Sequence, residues 1–503
     1  MTQEPRARAV SVLGTASNVG KSLIATALCR LYADAGLDVV PYKAQNMALQ
    51  AGVGVGGELG RAQILQAQAA RVTPHVDMNP VLLKPRSQTG AEVIVLGQPA
   101  GTRSARDYFT GHNPLADVAL AALDRLARQH ALVVMEGAGS PVELNLMDRE
   151  FVNLPPARRL GAGLILVADI DKGGVFAQVK GTVDLLPPAD RARLLGVVVN
   201  RFRGDIAIVE NGIATLEALA GVPVLAVVPW VRHGLDEEDR PFSLPIDAAP
   251  VPGRLNVGVL LHPRVSNTED LAPLLAEPDV AATWVSRPSA MAGRQLLILP
   301  GSKASVADLQ HHAAAGLTEA LREAHAAGAW VLGLCGGYQM LGERLLDPHH
   351  TDGEVDAWPG LGLLPVTTEF RAGKVLEQRA FVSAWPTAGH PLTGYEIHHG
   401  HTEGQGEALV QGAGAEVGVR QDRAVGCYLH GLLREDAWRA SFLNRVRVDA
   451  GLPEQPVRSA EPGEVAIARW AHHVASHLRP GAWELLLAAA GQGTGSGSQE
   501  SKG

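Results

Sequence analysis

Short apolar, β-branched runs alternate with alanine- and leucine-rich stretches along most of the chain. RAVSVLG leads into KSLIATALCRLYADAG and then LDVVPYK; farther on come ALVVMEGAG, GLILVADI and LLGVVVNRF. Apolar runs of this kind, separated by helical segments, predict strands buried on both faces, and hence parallel βαβ units with helices on either side of a sheet. After Trp230 the rhythm breaks into VRHGLDEEDRPFSLPIDAAPVPG, rich in proline and acidic residues, which reads as a linker over 231–253. A second α/β series starts at RLNVGVLL and continues through QLLILPG, AWVLGLCGG, GLGLLPV and AVGCYLHG to a helical close near Leu487. The expected organisation is therefore α/β, with one doubly wound domain over 1–230 and another over 254–487. Residues 488–503, with the Gly/Ser run GQGTGSGSQESKG, are expected to form a disordered tail.

The length of 503 residues suits two such domains, at roughly 100 to 200 residues each or somewhat more. A diffuse net charge of −8, from 52 acidic and 44 basic residues, disfavours a general nucleic-acid or anionic-membrane surface. The three cysteines, Cys29, Cys335 and Cys427, are far apart and form no C-x-x-C pair, so neither a disulfide framework nor a zinc cluster is indicated. No cleavable leader is evident at the N-terminus, and no run approaches the roughly 20 apolar residues of a membrane span. The expectation is a cytoplasmic protein with no nucleic-acid or membrane partner, either a monomer or a homo-oligomer.

Two places carry chemistry. GTASNVGKS, Gly14 to Ser22, follows the first strand and opens a helix at Lys21. Backbone N–H groups and a helix N-terminus converge there, which favours an anion, although five residues rather than the usual four separate the glycines. Gly14, Thr15, Asn18, Gly20, Lys21 and Ser22 are the nucleotide-binding candidates, with Lys21 neutralising β- and γ-phosphates and Ser22 holding Mg²⁺. Glu136 and Asp169 end later strands, where carboxylates suit Mg²⁺; Asp171 lies just beyond, and Asn200 is a candidate for an adenine edge. The run Lys172 to Phe176 lacks the Gly-Lys-Ser ending of a phosphate loop.

In the second half, AWVLGLCGGYQMLGERLL sets Cys335 at a strand-to-helix turn among Gly333, Gly336 and Gly337. Such a turn lifts a nucleophile out of the sheet and leaves backbone N–H groups for an oxyanion. His430, ending AVGCYLH, is the candidate general base. His398, His399 and His401 in GYEIHHGHT lack the spacing of a metal site and are expected at the surface or in a substrate groove. Cys29 and Cys427 read as core residues.

Taken with PYKAQNMAL, GGELGRAQILQAQAA, MNPVLLKP, EGAGSPVELNL, VADIDKGGVFAQVKGT, VNRFRGD, LPGSKAS, GLCGGYQMLG, GYEIHHG and YLHGL, the sequence resembles the cobyric acid synthase family over nearly all of residues 9 to 485. The resemblance implies a dethiobiotin synthetase-like P-loop domain, whose loop has the same GT-x-x-x-x-GK-[ST] form, followed by a triad-type (class I) glutamine amidotransferase. It implies ATP- and glutamine-dependent amidation of the b, d, e and g carboxylates of adenosylcobyrinic acid a,c-diamide to adenosylcobyric acid in cobalamin biosynthesis. ATP, Mg²⁺ and glutamine are then the required small molecules, with no permanently bound prosthetic group and a corrinoid as acceptor.

Under that resemblance Cys335 attacks glutamine, His430 moves the protons, and N–H groups near Gly301 and Gly336 hold the oxyanion. Gln45, Asn46, Met47, Lys84, Pro85 and the run Asp169 to Gly174, including Asp171, line the corrinoid groove. Lys43, Lys84 and Arg86 are the expected cations for a polyanionic substrate. Position 432, two residues after the histidine, is leucine where many amidotransferase triads carry glutamate, so the third member must come from elsewhere or be missing. Two other readings compete. The sister amidase of the a and c carboxylates is disfavoured by EGAGSPVELNL, and a partitioning-type switch ATPase by Ala16, where a signature lysine would stand.

Overall fold

The computed structural model describes residues 7–48, 50–85, 90–104, 114–231, 233–235, 244–459 and 463–491. The chain divides into two compact units. The first takes residues 1–48, 54–236 and 462–503, and the second takes 49–53 and 237–461.

The first unit is built on a six-stranded sheet in the order Val224–Pro229, Leu194–Phe202, Gly163–Asp169, Arg8–Gly14, Leu132–Glu136, Val39–Tyr42. All five pairings are parallel. The strands are buried almost throughout because helices cover both faces, which explains their unbroken apolar runs. Arg8–Gly14 lies centrally, and its C-terminal end delivers the glycine loop to the helix Lys21–Asp34. A smaller sheet, Gln45–Met47, Val81–Pro85, Gly90–Val95 and Gln98–Ser104, is parallel in its first pairing and antiparallel in the next two.

The second unit has a seven-stranded sheet ordered Val280–Val285, Leu255–Leu260, Leu296–Leu299, Trp330–Leu334, Ala424–Cys427, Gly418–Gln421, Glu407–Ala408. Its first five strands are parallel, and the last two close one edge antiparallel. A long antiparallel hairpin, Val366–Val382 with Pro391–Gly404, belongs to a separate four-stranded sheet.

The chain division differs from the sequence expectation in two respects. Residues 463–487 are expected in the second domain, but the helices Gly463–Ala475 and Ala482–Ala489 belong to the first unit. Ile467, Trp470, Val474 and Leu486 are buried there beside Ile24 and Leu28 of the P-loop helix; Trp470 Nε1 donates to Leu23 O at 2.7 Å and Tyr32 OH to Leu486 O at 3.1 Å. An apolar helix face shows that it must be covered and not by which partner. Within the expected linker, residues 244–253 are ordered against the edge strand of the second unit: Trp284 N donates to Pro245 O (2.9 Å) and Asp247 N to Trp284 O (2.8 Å). Of the expected disordered tail 488–503, Ala488 and Ala489 close the helix Ala482–Ala489 instead, and the part from residue 492 onward lies outside the described residues, as does Arg86.

Candidate active sites

The glycine loop of the first unit is shaped by backbone conformation. Asn18 and Gly20 have positive φ, 59° and 99°. A Cβ on Gly20 would stand 2.1 Å from Asn200 Nδ2, so only glycine fits between the loop and the strand end at Asn200. Asn200 Nδ2 donates to Val19 O at 2.8 Å. The side chain read as an adenine contact thus spends this donor on clamping the phosphate loop. Lys21 Nζ donates to Ala16 O (2.9 Å) and Gly139 O (3.2 Å), which folds it over the loop. Thr15 Oγ1 reaches Gln178 Oε1 at 3.1 Å, bringing the helix after the Asp169–Gly174 run against the same loop.

Behind the loop lies a buried polar network centred on Glu136. Its carboxylate accepts from Ser22 Oγ at 2.7 Å, Lys43 Nζ at 2.6 Å, Gln66 Nε2 at 2.5 Å and Gln63 Nε2 at 3.4 Å. Burial alone would push the Glu136 carboxyl up, but Lys43, Ser22 and Gln66 together hold it below the ordinary range. Asn46 Nδ2 extends the network by donating to Gln63 Oε1 at 2.9 Å.

Three expectations for the substrate groove change accordingly. Lys43 is buried and paired with Glu136, and Lys84 is buried and paired with Glu58. Neither is a surface cation, because an ammonium taken out of water needs a carboxylate beside it. Asn46 is buried in the same way, whereas Gln45 is half-buried and Met47 is 57% exposed. Asp169 binds Arg201 Nη1 at 3.0 Å and accepts from Asp171 N at 2.9 Å, so its charge is already balanced; Asp171 pairs with Arg203 Nε at 2.9 Å. Gly173 and Gly174 both have positive φ and stand exposed beside Phe176.

In the second unit, Cys335 follows the strand Trp330–Leu334 with φ 52° and ψ −108°, a strained conformation for a residue with a side chain. Glycines on both sides make the turn possible. An added Cβ on Gly333 would meet Gly337 O at 2.6 Å, and one on Gly337 would meet Leu299 O at 2.0 Å. The Cys335 N–H donates to Cys427 O (2.9 Å); the residue is 8% exposed, and its thiol lies 3.5 Å from Ile397 O. Cys427 is fully buried, and burial pushes its thiol up to about 12, which keeps it an inert core residue; Cys29 is likewise fully buried.

His430 is buried and oriented by a partner that sequence spacing did not reveal. Its Nδ1 lies 2.7 Å from Asp270 Oδ2, while Asp270 Oδ1 accepts from Gly431 N at 2.9 Å. Leu432 leaves the position two residues on without a carboxylate, and Asp270 fills that role from a short helical turn, Thr268–Leu271. Burial pulls the imidazole down, but Asp270 and the Cys335 thiol outweigh it and push His430 up to about 10. Its other nitrogen, Nε2, has no hydrogen-bond partner within bonding geometry among the described residues. Tyr395 stacks on the ring, with centroids 4.9 Å apart and planes 18° from parallel, and its hydroxyl donates to Glu269 Oε1 at 3.2 Å. The only sequence trace of Asp270 is two adjacent acids, Glu269 and Asp270, standing before an apolar leucine.

The oxyanion candidates also meet. Gly301 is paired with Ser266 in a two-residue ladder, and a Cβ on Gly336 would stand 2.8 Å from Ser302 N. In the segment at Gly301, the backbone nitrogen nearest Gly336 is therefore that of Ser302. The histidine cluster separates by strand alternation. His398 is buried, stacked on Tyr428 at 3.6 Å and bonded through Nδ1 to Gly400 O at 2.7 Å, so of the two expected places, surface or substrate groove, it does not take the first; His401 is partly exposed beside Glu403. Among the described residues, no helix is long and apolar enough to cross a membrane.

Comparison with known proteins agrees with this two-site arrangement. Residues 10–240 match the CobQ/CobB/MinD/ParA nucleotide binding domain, and residues 256–438 match the CobB/CobQ-like glutamine amidotransferase domain. The chain is 44% identical over 490 residues to a cobyric acid synthase of Chlorobium phaeobacteroides (strain BS1), covering 94% of this chain and 98% of that one. It is 46% identical to the cobyric acid synthase of Chlorobaculum tepidum (86% and 90% covered) and 43% identical to that of Sorangium cellulosum (90% and 93%). Similarity at this level along both units, together with a P-loop in one and a buried Cys-His-Asp set in the other, shows that the chain belongs to the cobyric acid synthase family of glutamine-hydrolysing amidotransferases.

Proposed function

We propose that this protein amidates the b, d, e and g carboxylates of adenosylcobyrinic acid a,c-diamide, using glutamine as ammonia donor and ATP as activator. The observation that carries the reading is the Asp270-oriented His430 in the same unit as the strained Cys335, in a chain that also holds a complete Gly-Lys-Ser phosphate loop.

The glutaminase half-reaction follows from the second unit. His430 Nε2 takes the Cys335 thiol proton as Sγ attacks the amide carbon of glutamine, and the carbonyl oxygen takes the negative charge facing the Gly336 and Ser302 amides. His430 Nε2 gives its proton to the departing nitrogen, so ammonia leaves and a thioester remains. Water, deprotonated by the same nitrogen, then releases glutamate. Asp270 keeps Nδ1 protonated and Nε2 directed at the thiol, and stabilises the imidazolium throughout.

The synthetase half-reaction uses the first unit. A substrate carboxylate takes the γ-phosphoryl group of ATP, ADP departs, and ammonia displaces phosphate from the acyl phosphate to give the amide. Lys21, folded over the loop by two carbonyls, is placed to exchange them for phosphate oxygens. The hard oxygens of Ser22 and Glu136, 2.7 Å apart, suit Mg²⁺, which takes few protein ligands and supplies charge neutralisation at the phosphates. Asp169, paired with Arg201 as Glu136 is with Lys43, is the second candidate. The half-buried Gln45 and the exposed run Asp171 to Gly174 are the surfaces offered to the corrinoid.

The test is mass spectrometry of adenosylcobyrinic acid a,c-diamide after incubation with Mg-ATP and glutamine. Four added amides are expected with the wild type, restoration of Cys335→Ser by ammonium, and no product from Lys21→Ala with either donor. Glutamine hydrolysis by the folded wild type with no amide added to this acceptor would overturn the substrate assignment.

A further inference from the structure

Behind the oxyanion strand lies a pair of histidines that the reaction above does not use. His262 follows the strand Leu255–Leu260, and His312 sits on the helix Ser305–Ala314; both are 2% exposed. His262 Nδ1 is 2.7 Å from His312 Nε2, and His262 Nε2 is 3.1 Å from Pro300 O.

The partners fix the protons. A proline carbonyl can only accept, so His262 Nε2 carries hydrogen; in the neutral ring Nδ1 is then an acceptor, and His312 Nε2 must be the donor to it. His312 Nδ1 is left as a buried lone pair without a hydrogen-bond partner among the described residues. Burial pulls His262 down to about 4, against the Pro300 bond. Burial and His262 pull His312 down to about 3, against Asp308. Both rings are therefore neutral at physiological pH, and the chain of donors runs one way, from His312 through His262 to Pro300.

Pro300 O and Gly301 N share one rigid peptide plane. The next residue, Ser302, is tied to the same helix: its Oγ donates to Asp308 Oδ2 at 2.6 Å, and Arg264 Nη1 holds Asp308 Oδ1 at 3.2 Å. Asp308 and His312 stand one turn apart, so the helix grips the Pro300–Ser302 segment at both ends. That segment carries the amide facing Gly336. We propose that His262 and His312 are positioning residues of the glutaminase, a neutral directed pair that fixes the Pro300–Gly301 peptide at one end while Asp308 holds the Ser302 side chain at the other, so that the Gly301–Ser302 peptide between these two anchors presents the Ser302 amide to the oxyanion.

The inference rests on the glutaminase reading of Cys335, and the test separates the two: wild-type glutamine hydrolysis decides that reading, and the variants decide this one. His312→Leu removes the donor to His262, whereas His312→Gln keeps one. With the pair as positioning residues, His312→Leu lowers glutaminase kcat by about tenfold or more, the scale of a misplaced oxyanion donor. KM for glutamine stays within about twofold, as for an interaction made only in the transition state. Amidation supported by ammonium is unchanged, and His312→Gln recovers most of the loss. A folded His312→Leu protein with wild-type kcat, or equal losses in His312→Leu and His312→Gln, overturns the proposal. Should His312→Leu not fold, His312→Gln is compared with the shorter His312→Asn: impairment of the asparagine variant alone supports the pair, and equal activity overturns it.

Discussion

His430 Nδ1 and Asp270 Oδ2 lie 2.7 Å apart although 160 positions separate them in sequence. This contact completes a Cys-His-Asp set that the leucine at position 432 left open. Asp270→Asn keeps the shape but lets the imidazole take the wrong tautomer. Glutaminase kcat is expected to fall by about 10²- to 10⁴-fold, with ammonium-dependent amidation retained. Steady-state assays with the two nitrogen donors check this, and wild-type glutaminase activity in the variant would remove Asp270 from the mechanism.

The same contact has a pH signature. The His430 pKa, pushed up to about 10 in the folded chain, lies above the ordinary histidine value of about 6.5. A raised pKa means that the folded state binds the proton more tightly, so its stabilising contribution is fully present below about pH 6.5 and is lost as pH rises through about 10. Urea unfolding at pH 6, 8 and 10 should show the stability advantage of the wild type over Asp270→Asn shrinking with rising pH. An advantage that is constant or grows over this window contradicts the assignment.

In the first unit, Lys43→Met strands the buried Glu136 carboxylate beside Ser22 and Gln66 without its counter-charge. Removing one partner of a buried pair typically costs about 3–5 kcal/mol. The double variant with Glu136→Gln should recover a large part of that stability without recovering activity, because the oxygen facing Ser22 no longer carries charge. Thermal unfolding of both variants, with ATP-dependent amidation measured alongside, tests both halves of this expectation.

Trp470 packs beside the P-loop helix and donates to Leu23 O next to Ser22. Trp470→Ala should destabilise the first unit by about 3–5 kcal/mol and weaken amidation with either nitrogen donor. Glutaminase activity of the second unit should persist. Differential scanning calorimetry together with glutamine hydrolysis separates this outcome from a general loss of folding.

The sequence by itself determined a great deal here. Apolar runs bounded by turn residues favour strands buried on both faces, so the two largely parallel sheets were legible from RAVSVLG, GLILVADI and AWVLGL, whereas the equally apolar GLGLLPV forms no strand before Val366. Local chemistry at strand-to-helix turns was legible too, because Gly14 to Ser22 and Gly333 to Gly337 carry their function in contiguous residues whose backbone geometry only glycine permits. Tertiary structure alone decided what depends on partners distant in the chain. Asp270 meets His430 across the sheet, Lys43 and Lys84 turn inward to Glu136 and Glu58, Asn200 clamps Val19, and the last helices cover the P-loop helix instead of the second sheet. The physical reason is common to all of these. A sequence pattern states that a charge must be neutralised, a donor satisfied or an apolar face buried, and the fold alone states which residue does so.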